Sequence, residues 1–141
     1  MSLNTYLTFD GNCEEAFEFY KSVFGGEFIV LQRFSDGPPE MKGVGDDEKN
    51  RIMHVSLPVG ASVLMGSDTA GGHAETYKRG NNFSISYSPG SRAEADAAFA
   101  KLNSGGVETM SMQETFWGAY FGMCTDRFGV QWMINIDAKK A

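Results

Sequence analysis

Residues 12–26 read Asn12-Cys13-Glu14-Glu15-Ala16-Phe17-Glu18-Phe19-Tyr20-Lys21-Ser22-Val23-Phe24-Gly25-Gly26, and residues 91–106 read Ser91-Arg92-Ala93-Glu94-Ala95-Asp96-Ala97-Ala98-Phe99-Ala100-Lys101-Leu102-Asn103-Ser104-Gly105-Gly106. Both stretches spell a helix with the same start and the same stop. Asn12 followed by Glu15, and Ser91 followed by Glu94, are cap signals, in which a short polar side chain takes a backbone N–H that the first helical turn leaves unpaired. Glu14 and Glu15 add negative charge at the positive end of the helix dipole. Ala16, Tyr20, Val23 and Phe24 form one apolar stripe and Ala95, Ala98, Phe99 and Leu102 the other, before the glycine pairs end each helix. The offset is 79 residues from cap to cap and 80 from glycine pair to glycine pair, so the chain repeats itself.

Around each helix the alternation of apolar and polar residues predicts strands in the same order. Residues 4–9 and 82–88 precede the two helices. Residues 27–34, 51–58 and 61–67 follow the first, and residues 107–113, 119–125 and 130–136 follow the second. The expected class is α+β, with two βαβββ modules forming curved sheets around a cleft. The expected organisation is a single domain, 1–141, with halves 1–70 and 80–138 joined by a linker within residues 68–81. A longer Gly-, Pro- and Asp-bearing loop at residues 35–50 makes the first half larger.

Side-chain period assigns the faces. A turn at Val59-Gly60 would make facing residue numbers sum to 119, placing His54 opposite Met65 and Ser56 opposite Val63. Met53, Val55, Leu57 and Leu64 then lie under the helix, as do Thr5, Leu7 and Phe9, leaving Asn4, Tyr6 and Thr8 outside. In the second half a turn at residues 126–129 puts Phe121, Met123, Val130, Trp132 and Ile134 under the helix. Tyr120, Gly122, Cys124, Gln131, Met133 and Asn135 fall on the other side, and Ser84 and Ser86 separate from Phe83, Ile85 and Tyr87. Each half thus has a dry face and a mixed face of hydroxyl, amide, imidazole and thioether groups. Such a face suits an organic ligand with a few hydrogen-bonding groups, or alternatively solvent or a second subunit.

Composition narrows the partners. The chain has 141 residues, 12 Lys+Arg against 18 Asp+Glu and a net charge of −6, with 42% hydrophobic residues. That is enough apolar mass for one core. The acidic balance disfavours nucleic acid and anionic membranes, and no apolar run nears the roughly 18–20 residues of a spanning helix. A cytoplasmic protein is expected. Cys13 and Cys124 make no disulfide framework and have no metal-type spacing with His54 and His73.

His54 projects from the mixed face with an imidazole that can give or take a proton, so it could orient or deprotonate a ligand; a hydrogen-bonded structural role is the plainer alternative. Glu114, Trp117 and Tyr120 lie where a loop enters the last hairpin and could close over a ligand by stacking and hydrogen bonding, or Trp117 could be core. Trp132 reads as core, whereas Gln131 reads as an amide in need of a partner. Cys13 sits in the first turn of a helix, where the dipole can activate a thiol, but with no base nearby it reads as a small hydrophobe. Gly43-Val44-Gly45 follows no apolar strand, so neither a Rossmann nor an S-adenosylmethionine site is supported.

The run from Tyr6-Leu7-Thr8-Phe9-Asp10-Gly11 through Tyr20, then Val23-Phe24-Gly25-Gly26, His54-Val55-Ser56-Leu57, Leu64-Met65-Gly66-Ser67-Asp68, Trp117-Gly118 and Asp126-Arg127-Phe128-Gly129-Val130-Gln131-Trp132 resembles the vicinal-oxygen-chelate superfamily. That superfamily includes glyoxalase I, bleomycin-resistance proteins and extradiol dioxygenases. Within it the chain is similar to the PhnB-like branch, which carries a 3-demethylubiquinone-9 3-methyltransferase label. The resemblance implies two half-barrels around a cleft, and a homodimer. It also implies up to four metal ligands, usually His and Glu, whose positions fall near Asn4, Met65, Ser84 and Met133. None of these supplies the donors a divalent metal needs, so the expectation is a metal-free protein without cofactor. It would bind a small molecule in a cleft lined by Tyr6, His54, Met65, Ser84, Ser86, Glu114, Trp117, Tyr120, Gln131 and Met133. The alternatives are an enzyme of lyase, isomerase, dioxygenase or methyltransferase type with His54 or Glu114 as acid or base, and a structural dimer module.

Overall fold

The protein is described from a computed structural model that covers residues 1–38 and 43–138, the side chain of Ala74 aside. Part of the long loop expected at residues 35–50 lies outside the described residues. The chain falls into two compact units, Met1–Lys78 and Arg79–Ala141. The first holds β1 (Thr5–Phe9), α1 (Cys13–Phe24), β2 (Val30–Arg33), β3 (Ile52–Val59) and β4 (Ser62–Asp68). The second holds β5 (Ile85–Tyr87), α2 (Arg92–Asn103), β6 (Val107–Glu114), β7 (Tyr120–Thr125) and β8 (Gln131–Ile136). Each unit is a four-stranded sheet, ordered β1-β4-β3-β2 and β5-β8-β7-β6, with the first strand parallel to the last. The α+β class and the repeated βαβββ module are therefore as the sequence predicts. No described helix is long and apolar enough to cross a membrane.

The helices pack as their stripes require. Ala95, Ala98, Phe99 and Leu102 are the buried residues of α2. On α1 the buried set is Cys13, Ala16, Phe17, Phe19 and Tyr20, with Val23 and Phe24 only half-buried. Phe17 meets Phe9 of β1 and Tyr20 of its own helix edge-on, with ring centroids 6.1 and 5.5 Å apart. Each such buried ring contributes about 2 kcal/mol of apolar transfer energy.

The caps differ. Ser91 Oγ accepts the N–H of Glu94, and the Glu94 carboxylate reaches back to the N–H of Gly90. Asn12 makes no side-chain cap. The start of α1 is held instead by Asp68 at the end of β4, whose Oδ1 accepts the N–H groups of Gly11 (2.9 Å) and Cys13 (3.0 Å) while Oδ2 accepts that of Ile52 (2.8 Å). A carboxylate distant in sequence outcompetes the local amide because it is charged and takes three donors at once.

Two registers depart from the expected ones. The first hairpin turns at Gly60-Ala61, closed by Val59 opposite Ser62, so Met65 faces Ser56 rather than His54. Gly60 has φ +58° and leads the turn, which is where a type II′ hairpin needs its glycine. A turn at Val59-Gly60 with both residues at positive φ would have strained the β-branched Val59. Each partner moves by two residues, so Val55, Leu57 and Leu64 stay under α1. A bulge at Met53 then turns Ile52 inward.

The second hairpin closes with Thr125 opposite Gln131, because Val130 belongs to the loop and its carbonyl accepts the Asp126 N–H. That single extra residue flips β7 against the expected assignment. Gly122 and Cys124 lie under α2 beside Ile134 and Trp132, their cross-strand partners. Phe121 and Met123 lie on the open face beside Asn135 and Met133.

Candidate functional site

In the first unit the open face gathers a hydrogen-bonded chain. Parallel pairing places Tyr6 of β1 beside Met65 of β4, and Met65 lies opposite Ser56 of β3. His54 and Ser56, two residues apart, share that face. The Tyr6 hydroxyl lies 3.1 Å from His54 Nδ1, and His54 Nε2 lies 2.8 Å from Ser56 Oγ. The Tyr6 and His54 rings also stack, with centroids 5.6 Å apart at 28°. Tyr6 is half-exposed and Ser56 buried, so the chain runs from solvent into the sheet.

The chemistry follows from the imidazole. In neutral His54 one ring nitrogen donates and the other accepts. If Tyr6 O–H donates to Nδ1, then Nε2–H donates to Ser56, whose own O–H is left to point elsewhere. If Ser56 O–H donates to Nε2, then Nδ1–H donates to Tyr6, whose O–H is left instead. Either tautomer leaves one hydroxyl proton for a third group, and switching between them moves the free donor from one end of the chain to the other.

Charged contacts tie the ends of these strands together and join β2 to α1. Arg51 Nη1 meets Asp10 Oδ1 and the Thr69 carbonyl, each at 3.1 Å, and Thr69 Oγ1 donates to the same Asp10 oxygen at 2.6 Å. The Thr69 hydroxyl first, and Arg51 second, hold the Asp10 carboxyl below its usual range. Arg33 grips Glu14 with both Nη atoms at 3.0 and 2.7 Å, which lowers the Glu14 carboxyl and ties β2 to α1.

The second unit presents a different face. Ser86 of β5 lies opposite Met133, and Met133 opposite Met123. Gln131 Nε2 donates to the Phe83 carbonyl, which is the partner its amide needs. Ser84 stands before β5, a shorter strand than expected, and is half-buried. Trp117 is 53% exposed rather than core, and sits edge-on to Phe121 at 6.0 Å and to Phe116 at 4.9 Å. Trp132 is core, as expected.

Tyr120 and Glu114 belong to the opposite, helix side. They are cross-strand partners; the Tyr120 hydroxyl donates to Asp96 of α2 at 2.5 Å, and Glu114 pairs with Arg92 of α2 at 2.7 Å. The Arg92 guanidinium also lies over the Tyr120 ring, 4.6 Å from its centroid. The hydrogen bond to Asp96 pushes the Tyr120 hydroxyl pKa up. Both residues tie the sheet to α2 instead of lining the open face, and the cause is the one-residue register difference in β7.

Ser56, Phe121 and Met123 are the open-face members that the sequence reading did not single out. The i, i+2 spacing of His54 and Ser56 on a strand was the available signal for the first. Nothing local marked the other two, because their face depends on the loop length at residues 126–130.

Cys13 and Cys124 are buried, and burial raises both thiols, that of Cys124 to about 11. Asn4 Oδ1 accepts the N–H of Val63. The four positions near which the resemblance sets metal ligands therefore offer an occupied amide, a hydroxyl and two thioethers, which do not fit a divalent zinc, nickel, manganese or iron ion. Among the described residues no group of three or more His, Cys, Asp or Glu is placed to hold a metal.

A family model described as 3-demethylubiquinone-9 3-methyltransferase matches residues 1–135. Protein YjdN of Escherichia coli (strain K12) is 32% identical over 96% of this chain and 95% of its own. Among solved structures, protein PA1353 from Pseudomonas aeruginosa is 40% identical with TM-score 0.82, over 99% of both chains. The PhnB protein from Bacillus cereus is 24% identical with TM-score 0.73, over 95% of this chain and 98% of that one. A glyoxalase/bleomycin resistance protein/dioxygenase family enzyme from Burkholderia phytofirmans PsJN shares the fold at 18% identity and TM-score 0.57, over 93% of this chain and 95% of that one. With its repeated module, its whole-length relatives and a family model spanning nearly every residue, the chain belongs to the 3-demethylubiquinone-9 3-methyltransferase family and has the glyoxalase/bleomycin-resistance fold, which the PhnB protein shares.

Proposed function

We propose that the protein binds a small organic molecule bearing a ring and adjacent oxygens, on the open face of its first sheet and without a divalent metal. The observation that carries this reading is the Tyr6–His54–Ser56 chain, which always holds one hydroxyl proton ready for an acceptor beside a flat stacked surface and the adaptable Met65. The family description names a quinone methyl transfer, and a quinone ring with its oxygens has the matching shape and acceptors. Catechol is a suitable water-soluble probe. Titrated into the full chain and followed by NMR, it should shift signals of Tyr6, His54, Ser56 and Met65, and the shifts should be lost in the Tyr6→Phe, Ser56→Ala double variant. Native mass spectrometry of freshly purified protein gives a second readout through any copurified organic adduct. Unmoved signals together with an adduct-free spectrum would contradict the reading.

A second reading, an enzyme with His54 as acid or base, draws on the same chain, since a tautomer switch relays a proton between Tyr6 and Ser56. Glu114 is the less available of the two because its carboxylate is paired with Arg92. A reaction of this kind would show a pH–rate profile that disappears in His54→Gln. The proposal includes a homodimer; a light-scattering mass near 15.4 kDa at working concentration would refute that part.

A further inference from the structure

Met110 of β6, Met123 of β7 and Met133 of β8 are direct cross-strand partners, Met110 opposite Met123 and Met123 opposite Met133. Three thioethers thus stand in one row across three neighbouring strands. The row lies on the face away from α2, and each methionine is half-buried, sheltered yet within reach of solvent. Two irregularities in β6, on either side of Met110, bring it there. Without them Met110 and Met112 would share a face, whereas Met112 lies against Gly122 on the helix side.

The reach is sufficient. Two strand spacings separate the outer backbones by roughly 10 Å. A methionine sulfur stands about 3 Å from its Cβ and swings on three rotatable bonds, so the outer sulfurs can close to on the order of 4 Å, the spacing of donors around one metal ion. Thioethers without imidazole or carboxylate select soft ions and reject borderline dications. The next row supplies Phe121, steadied by Trp117, whose ring can face a cation. Its other members, Gln113 and Asn135, are neutral.

We propose that Met110, Met123 and Met133 form a binding site for a soft monovalent cation, copper(I) or silver(I), on the second sheet. The site is built from residues of the second unit alone and does not depend on the organic-ligand reading. Silver(I), which needs no reductant, is the probe: it is added to the full chain carrying isotope-labelled methionine methyls and followed by NMR. One equivalent should move the methyl signals of Met110, Met123 and Met133 and leave those of Met53, Met65 and Met112 in place, while zinc(II) moves none. Met123→Leu, which keeps size and apolarity but removes the central sulfur, should lose the one-to-one silver adduct in native mass spectra with its remaining NMR spectrum intact. Should that variant fail to fold, Met110→Leu and Met133→Leu make the same test from the row's ends. Unmoved methyl signals, an adduct undiminished in the leucine variants, or one that disappears only on Cys13→Ala, Cys124→Ala replacement would overturn the proposal.

Discussion

Each half of the molecule is organised by one buried aspartate, yet the two sit at different places in the repeated module. In the first unit Asp68 ends β4 and gathers backbone N–H groups from Gly11, Cys13 and Ile52, joining the helix start to two strands. In the second unit Asp126 begins the β7–β8 loop. Its Oδ1 accepts the N–H groups of Phe128 and Val130, and its Oδ2 takes the indole N–H of Trp132 at 2.9 Å. The halves share a topology but not the interactions that hold it. A duplicated fold constrains where strands run and which face is dry, and each copy has its own way of satisfying the buried donors.

The comparison is broken most directly by removing either hub. Asp68→Ala and Asp126→Ala each strand three donors and should cost about 3 kcal/mol or more, read from chemical denaturation. They should differ in one respect: both tryptophans are in the second unit, so under native conditions Asp126→Ala alters tryptophan emission and Asp68→Ala leaves it unchanged. Equal spectral effects would mean that the hubs are not local to their halves.

Glycines on the helix side sharpen it next. A Cβ at Gly66 would meet the Phe17 ring at 2.6 Å and the Leu7 carbonyl at 3.0 Å, whereas one at Gly122 would meet the Met112 sulfur at 2.5 Å and, less tightly, the Met112 backbone N at 3.1 Å. Phe17 is fully buried and fixed by its neighbours, while the half-buried Met112 side chain can swing aside and leaves only the milder backbone contact to be relieved. Gly66→Ala should therefore cost roughly 1–3 kcal/mol and Gly122→Ala less, measured by thermal melting.

The response to pH should also separate the halves, by a smaller margin. In the first unit Asp10, Glu14 and Glu48 are lowered, from ordinary values of 3.8 and 4.5, by the Thr69 hydroxyl with Arg51, by Arg33, and by the backbone N–H groups of Gly45 and Gly71 respectively. A lowered native pKa contributes stability that is present above the unfolded value and is lost as pH falls through the native one. In the second unit Tyr120 is raised by its bond to Asp96, and Tyr87 by burial. Their contribution is complete below about pH 10 and fades as pH rises through the raised values. Residue-resolved hydrogen exchange should show the first unit loosening below pH 4 and the second above pH 10, and solvent screening, least at the half-buried Tyr87, keeps both effects small. The smallest effect is the expected silence of the thiols. Neither Cys13 nor Cys124 should react with a thiol reagent at pH 8 in the folded protein, because burial keeps both protonated.

Much of this was legible along the chain, and the two hairpins mark where legibility ended. At β3–β4 the expected turn lay one residue away from the real one, and facing partners moved by two. Tyr6, His54 and Met65 therefore stayed on the open face even though the opposing pair changed from His54 to Ser56. At β7–β8 the loop held one residue more than expected, and β7 turned over, carrying Tyr120 to α2 and Met123 to the open face. A side-chain period of two forgives even errors and punishes odd ones. The methionine row followed a similar course, since only the irregularities beside Met110 align it with Met123.

The amino-acid sequence by itself determined the two helices, the order of strands around them and the duplication, because caps, glycine stops and alternation are local signals that neighbours in the chain impose on one another. Tertiary structure alone decided that Asp68 rather than Asn12 closes the first helix, that Arg92 and Asp96 claim Glu114 and Tyr120, and which side chains share a face in β7. Those outcomes depend on contacts between strands and helices distant in sequence, where the pairing that leaves the fewest buried donors and apolar rings unsatisfied prevails over any local preference.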